Sequence, residues 1–513
     1  MSERRLPSLR WAAAGVFALA LAARLLALLR ETLIASSFGL TAELDAIYLG
    51  LAVPLALTAG AGGGLSRAAV AVAAGLAGDR FSALARTACF RLVLLILPTS
   101  ILMAATAPVW VELLRLGDDS PPQRIAAAGA IMGSFLLLGG CLAGLFNGLA
   151  NASARHDMGS LNPIAYNAIV CLCIYFLHKP LGVYCIGVGL LVAEWLQTLV
   201  FLPIIGPLLR SRPEIDGLAD WTTLRSLFLP SAIIGTTVGL NVAIDRAFAT
   251  SLDSGSIAAL GYAERIINLP VALVATALAV PLYTRLSHHF RNERDELGRD
   301  TLHLGVRLIL LIGTPLAVYT AVFAVPIVGL LLERGNFDAN DVRVTSIAIA
   351  GYAVAVPFQA MTTLLTSAGL LGTRAWPTVR IMLATCVLNA ILNAALVGPL
   401  GILGIALATS VVGLVRTVLL LRFLSPGCLT DRGLWRTLFT SVLMAVAIPF
   451  PLIYARTQLI ESFAPDFAGR FVILALGALV LMLALGLLTP FVLWREWLSL
   501  GQLRRRVAEG TNE

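Results

Sequence analysis

The chain has 513 residues, 58% hydrophobic and only 13% charged; a soluble protein carries about 25% charged residues, so the solvent for this fold is lipid. The net charge of +8 is almost wholly arginine, with Lys179 the one lysine, and in so apolar a chain it reads as loop orientation at a membrane surface and not as nucleic-acid binding. Short alternating segments of the kind that build barrels are not seen, so the expected fold is all-α integral membrane.

A spanning helix needs roughly 20 apolar residues. Stretches of that kind fall near 11–38, 46–73, 86–112, 124–150, 160–178, 183–207 and 222–251, then 256–284, 302–332, 343–370, 376–397, 401–424, 435–457 and 468–493. That is about fourteen transmembrane helices. Basic ends (Arg4, Arg5, Arg10; Arg80, Arg86, Arg91; Arg155; Arg210, Arg212; Arg285 to Arg299; Arg374; Arg422, Arg432, Arg436; Arg504 to Arg506) alternate with short loops poor in positive charge. The positive-inside rule then puts both termini in the cytoplasm, which needs an even number of spans. Cleaving 11–23 as a signal peptide would leave thirteen and break that rule, so the segment is expected to stay.

In the first span Arg24 lies near the middle, with Arg30 and Glu31 about two turns on. A charge in hydrocarbon costs roughly 3 kcal/mol or more, so it faces protein or a watery cavity. Two readings stand. Arg24 and Arg30 could receive an anionic group such as a diphosphate, which guanidinium matches in bidentate fashion. Alternatively Arg24 and Glu31, seven residues apart and on nearly one face, form a structural ion pair. In the second span the run AGAGGG at 59–64 lacks the Lys-Ser/Thr of a phosphate loop; tight helix packing or a bend explains it better. Asn147, Asn151, Asn162 and Asn167 read as helix caps or interhelical partners. Glu194 in the sixth span and Arg416 in the twelfth read equally as packing groups or cavity residues.

The seventh span places Asn241 and Asp245 four apart on one face, with Arg246 adjacent; Glu264 and Arg265 follow in the eighth. These charges either pair with one another or contact a substrate or ion. The eleventh span repeats the four-residue spacing with Asn389 and Asn393, and Thr409 follows. With Asp245 they offer four oxygen ligands and one negative charge. That suits a monovalent cation, although amide bonding between helices explains the same residues. The seven cysteines and five histidines show no metal spacing.

The polar stretch 285–301 reads as a cytoplasmic linker. The expected organisation is a lobe of spans 1–6 (1–215), a lobe of spans 7–12 (216–426), and spans 13–14 with a cytoplasmic tail (427–513). Arg155 to Pro180-Leu181-Gly182 matches Arg374 to Pro399-Leu400-Gly401, both at an offset of 219 residues, and Asp45 to Pro54 resembles Tyr262 to Pro270. A duplication of that kind suits transporters built from two parallel repeats.

The stretches RLLALLRETLIASSFGLTAELDAIYLGLAVP and DRAFATSLDSGSIAALGYAERIINLPVALVATALAVPLYTRLS resemble the MurJ (MviN) lipid II flippase family, of the multidrug/oligosaccharidyl-lipid/polysaccharide exporter superfamily. LLERGNFDANDV and LNAILNAALVGPLGILGIALATS are similar to further parts of it. The resemblance implies a cationic cavity for the diphosphate and sugar head of an undecaprenyl-linked glycan, with the last two helices holding the lipid tail. By position it makes Arg24, Arg30, Asp45, Arg265 and the adjoining Glu264 substrate-contact candidates, and Asp245, Asn389, Asn393 and Thr409 a sodium site. The chain departs from the family in the second span, where Thr58, Ala59 and Gly63 stand for an arginine pair and an acid, and at Asn268 and Asn393. Arg67, a turn further on, is a candidate replacement. The expected function is a flippase for lipid II, or for an exopolysaccharide or O-antigen unit; a cation-coupled drug exporter is the more distant reading. The expected state is a monomer in the cytoplasmic membrane without cofactor, apart from Na+ as a candidate coupling ion. No ATP-binding motif is present, and short outer loops argue against a glycosyltransferase.

Overall fold

In the computed structural model the apolar stretches are helices, and residues 9–76, 78–115, 122–153, 156–210, 217–275, 295–370, 374–463 and 466–488 are described, with single residues at 278, 282, 498 and 501. Arg4, Arg5, Arg155, Arg212, Arg285, Arg291, Arg294, His288, His289 and the 489–513 tail other than 498 and 501 lie outside the described residues. Backbone contacts divide the chain into two compact units, Met1–Ile257 with Arg334–Asn336, and Ala258–Glu333 with Phe337–Glu513.

The first unit holds α1 (Leu9–Phe38), α2 (Ala42–Ala73), α3 (Gly78–Ala105), α4 (Ala107–Leu114), α5 (Gln123–Ala152), α6 (His156–Leu181), α7 (Tyr184–Val200), α8 (Leu202–Arg210) and α9 (Leu218–Ala249). Thr41 caps α2 by accepting the Leu44 amide at 3.3 Å, and Glu43 and Asp45 in its first turn complement the helix dipole. The glycine run then explains why α2 is flanked by two helices. A methyl group built on Gly62 would come 2.6 Å from the Gly140 carbonyl oxygen of α5, and one on Gly64 2.8 Å from the Ala232 amide of α9. Gly60, one turn before Gly64, meets the Thr236 backbone. Residues 60 and 64 thus serve one partner and 62 the other, as close approach of membrane helices requires. The same packing sets the division of the chain. The span at Leu218–Ala249, expected in the second lobe, packs along α2 and clusters with the first unit. Beneath the glycines, Leu65, Leu84, Leu145, Leu149, Phe201 and Trp221 form a buried apolar core.

The second unit holds α10 (Ser256–Val274), α11 (Asp295–Val322), α12 (Ala324–Leu332), α13 (Ala339–Ala353), α14 (Val356–Gly369), α15 (Ala375–Leu400), α16 (Ile402–Leu424), α17 (Arg432–Ala447), α18 (Pro449–Ser462) and α19 (Phe467–Leu488). Prolines mark the breaks. Pro357 and Pro449 each open a helix just after one ends, Pro326 stands in the first turn of α12, and α13 and α14 bend by 52°. The last helices are fastened to α11 and α12. Arg307 Nε donates to Thr437 Oγ1 at 2.9 Å, Tyr319 to the Leu474 carbonyl at 2.7 Å, and Arg470 to the Gly329 carbonyl at 2.7 Å while also pairing with Glu333. Phe323 packs among Met444, Ile448, Leu452 and Ile473.

Among the described residues eleven helices are long and apolar enough to cross a membrane, or twelve if the bent pair α13–α14 is one span. That is roughly consistent with the fourteen expected; α1 has 30 residues, and α7 is a shorter apolar helix of 17 residues. The exposed Phe439, Phe450, Tyr454, Phe467 and Met482 on α17–α19 form an apolar surface suited to acyl chains.

The internal repeat is visible in local geometry. Gly182 and Gly401 both take left-handed φ, 54° and 57°, and both separate a helix ending Pro-Leu from the next. Thr198 Oγ1 donates to the Gly139 carbonyl at 3.1 Å, and Thr417 Oγ1 to the Phe358 carbonyl at 3.3 Å. Donor and acceptor of the second bond each lie 219 residues beyond those of the first.

Candidate functional site

Within the first unit, α1 carries the arginines. Arg30 donates to Glu31 Oε1 through Nε at 2.9 Å and forms the ion pair through Nη2 at 2.8 Å. Glu31 is therefore engaged by its neighbour and not by Arg24. Arg24 is half-buried, and among the described residues it has no hydrogen bond or ion pair. Asp45 is buried and accepts the Gly255 amide at 2.7 Å, which ties the start of α2 to the turn after α9. Arg246 donates to the Tyr48 carbonyl at 2.8 Å and stacks over its ring at 5.4 Å. It belongs to the α2–α9 packing. Asn241 donates to the Thr237 carbonyl at 2.9 Å, and Asp245 is buried one turn further on.

A cavity of about 440 Å³ opens between α2, α5, α6 and α7. Its α2 wall includes Thr58, Ala59 and Gly63. The Arg67 side chain runs back along the helix, as long helical side chains do, and brings its guanidinium to Gly63, 3.6 Å from where a Cβ would stand. Opposite, Glu194 on α7 lies against Gly139 and Gly140 of α5 and accepts from Gln197. Tyr166 and Gln197, which the sequence reading did not single out, line the same space. One signal was available for Gln197, the three-residue helical spacing that pairs it with Glu194.

In the second unit, Glu264 and Arg265 sit partly exposed on α10. Asn389 and Asn393 are wholly buried on one face of α15, and half-buried Thr409 lies on the adjoining α16. Asp245, the charged member of the proposed sodium set, belongs to the first unit and the other three to the second. Arg416 is buried and donates through Nε to Thr385 Oγ1 of α15 at 2.9 Å, which gives it an interhelical packing role.

Arginines and carboxylates held inside apolar spans, on a fold of this many membrane-length helices, define a polytopic membrane protein. A family model described as Lipid II flippase MurJ matches residues 34–477, and the chain belongs to the MurJ family. It is 30% identical over 213 residues to the probable lipid II flippase MurJ of Haemophilus influenzae, a stretch that covers 39% of this chain and 42% of that protein. It is 26% identical over 355 residues to lipid II flippase MurJ of Burkholderia cenocepacia, covering 65% and 68%. The chain thus spans less than half the length of the first relative and about two thirds of the second. A solved lipid II flippase MurJ in an inward closed conformation shares the fold, with a TM-score of 0.75 at 20% identity over 93% of this chain and 98% of that one.

Proposed function

We propose that this protein is a flippase that carries an undecaprenyl-diphosphate-linked glycan of the lipid II type across the cytoplasmic membrane by alternating access. The observation that carries the reading is the family match over residues 34–477. The half-buried guanidinium of Arg24 within α1 supports it. In this reading Arg24, Arg30 and Arg265 replace the hydration of the diphosphate, through bonds of roughly 1.5–3 kcal/mol each. The prenyl tail stays in lipid, and the exposed apolar face of α17–α19 suits it. The chain acts as a monomer with both ends in the cytoplasm. Membrane potential, or Na+ held by Asp245, Asn389, Asn393 and Thr409, gives direction; about 2.3 kcal/mol is available per charge per 100 mV.

A second cargo reading, a related polyprenyl-diphosphate glycan such as an exopolysaccharide or O-antigen unit, is favoured by one observation. The α2 wall offers Thr58, Ala59 and the Arg67 guanidinium over Gly63 in place of the family's charged residues. Complementation separates the two. A strain depleted of its own lipid II flippase regains growth with this chain if lipid II is the cargo, and stays dead if it is not. Arg24→Ala and Arg265→Ala each remove rescue; rescue unchanged by both sinks the diphosphate role.

A further inference from the structure

The cavity between α2, α5, α6 and α7 is lined entirely by residues of the first unit, and its chemistry differs from that of a phosphate site. Gly62, Gly63, Gly140 and Gly144 leave its floor without side chains. Its volume, about 440 Å³, lies within the range of small-molecule pockets, roughly 300–1,000 Å³. One arginine and one carboxylate face it, Arg67 and Glu194, so no net formal charge selects an ion. Glu194 is only 7% exposed, and among the described residues its hydrogen-bond partner is Gln197 and no cation lies within ion-pair distance. The Thr58 hydroxyl, in a residue 8% exposed, is buried without a partner among the described residues. A carboxylate accepts more than one hydrogen bond, so Glu194 keeps acceptor capacity beyond Gln197, and a buried hydroxyl such as Thr58 is ordinarily satisfied; together they point to a polar ligand.

The remaining polar groups define that ligand. Asn147 and Asn162 add planar amides, and the Asn147 carbonyl oxygen is already used by Asn151 at 3.0 Å, which leaves its NH2 to donate. Planar carboxylate and amide groups each meet two adjacent polar atoms at once, the pattern a ring of vicinal hydroxyls presents; the Arg67 guanidinium, which also donates to the Ser231 carbonyl at 3.4 Å, stands beside them. A diphosphate would bring its charge against Glu194 with only one guanidinium to offset it.

We infer that this pocket binds an uncharged, hydroxyl- and amide-bearing sugar of the cargo, with Glu194, Gln197 and Arg67 as specificity-determining residues. The inference rests on the flippase reading and assigns the sugar to the α2–α5–α6–α7 pocket and the diphosphate elsewhere. It is tested on the full chain in nanodiscs by saturation-transfer NMR, with N-acetylglucosamine as the sugar probe and pyrophosphate as competitor. Saturation transfer to the sugar is expected in the wild type and unaffected by pyrophosphate. It should fall about tenfold in Glu194→Ala, for loss of a charge-assisted bond. Gly63→Leu should abolish it by filling the pocket; the Arg67 guanidinium is all that stands within 4 Å of a Cβ there, and the unfolding midpoint of the variant checks that it folds. No transfer in the wild type, displacement by pyrophosphate, or full transfer in the folded Gly63→Leu protein each overturns the inference. Rescue of the depleted strain without sugar transfer removes the pocket assignment alone. Sugar transfer without flipping of any lipid-linked glycan leaves the pocket and removes the flippase reading.

Discussion

Glu31 had two arginines within helical reach, and it pairs with Arg30. Periodicity put Arg24 and Glu31 on one face, but the adjacent guanidinium reaches first, and a spacing rule does not rank rotamers. The same limit applies to Arg67: its place in α2 was legible, whereas the return of its guanidinium to Gly63 depends on the glycine leaving room. The glycines themselves differ in consequence. Gly62→Ala sets a methyl 2.6 Å from the Gly140 carbonyl oxygen and should cost about 1–3 kcal/mol, as overpacking does. Gly63→Ala meets a flexible side chain tip at 3.6 Å and should be near neutral. Unfolding midpoints of the two purified variants check this; equal midpoints would contradict the packing assigned to α2 and α5. Cys428, in the connection between α16 and α17, is buried; desolvation first, then the Asp431 carboxylate, push its thiol up to about 12. Only the thiolate reacts, so maleimide should leave Cys428 unlabelled at pH 8 in the folded protein and modify it after denaturation; labelling of the folded state at pH 8 would show that the site opens.

At the scale of elements, apolar length located the helices well because the requirement for roughly 20 apolar residues is physical. It could not show that α13 and α14 bend by 52° or that α9 joins the first unit, since those depend on proline position and on small residues facing each other. The offset of 219 residues did survive, in a pair of glycines and a pair of threonine bonds. Gly182 and Gly401 both hold positive φ, 54° and 57°, where an L-residue is strained by about 1–3 kcal/mol. Gly182→Ala and Gly401→Ala should therefore each lower stability by roughly that amount, and the double variant shows whether the two turns couple. Urea or thermal unfolding of the three variants checks it, and a loss at only one position would contradict equivalent turns.

At the scale of the molecule, fold class and family were readable before any coordinates, because hydropathy and a few charged stretches carry both. The candidate site was less so. Each unit keeps its own set, with Arg24, Arg30 and the polar cavity in one and Arg265, Asn389, Asn393 and Thr409 in the other, and sequence spacing says nothing about which side chains line a space. The central claim is that guanidinium groups within the spans receive a lipid-linked diphosphate. Its most direct measurement is translocation of fluorescent lipid II in proteoliposomes containing the wild type, Arg24→Ala or Arg265→Ala. The wild type should move the lipid, and each variant should be slower by about tenfold or more, for loss of one charge-assisted bond. Wild-type rates in both variants, at equal protein incorporation, would contradict it.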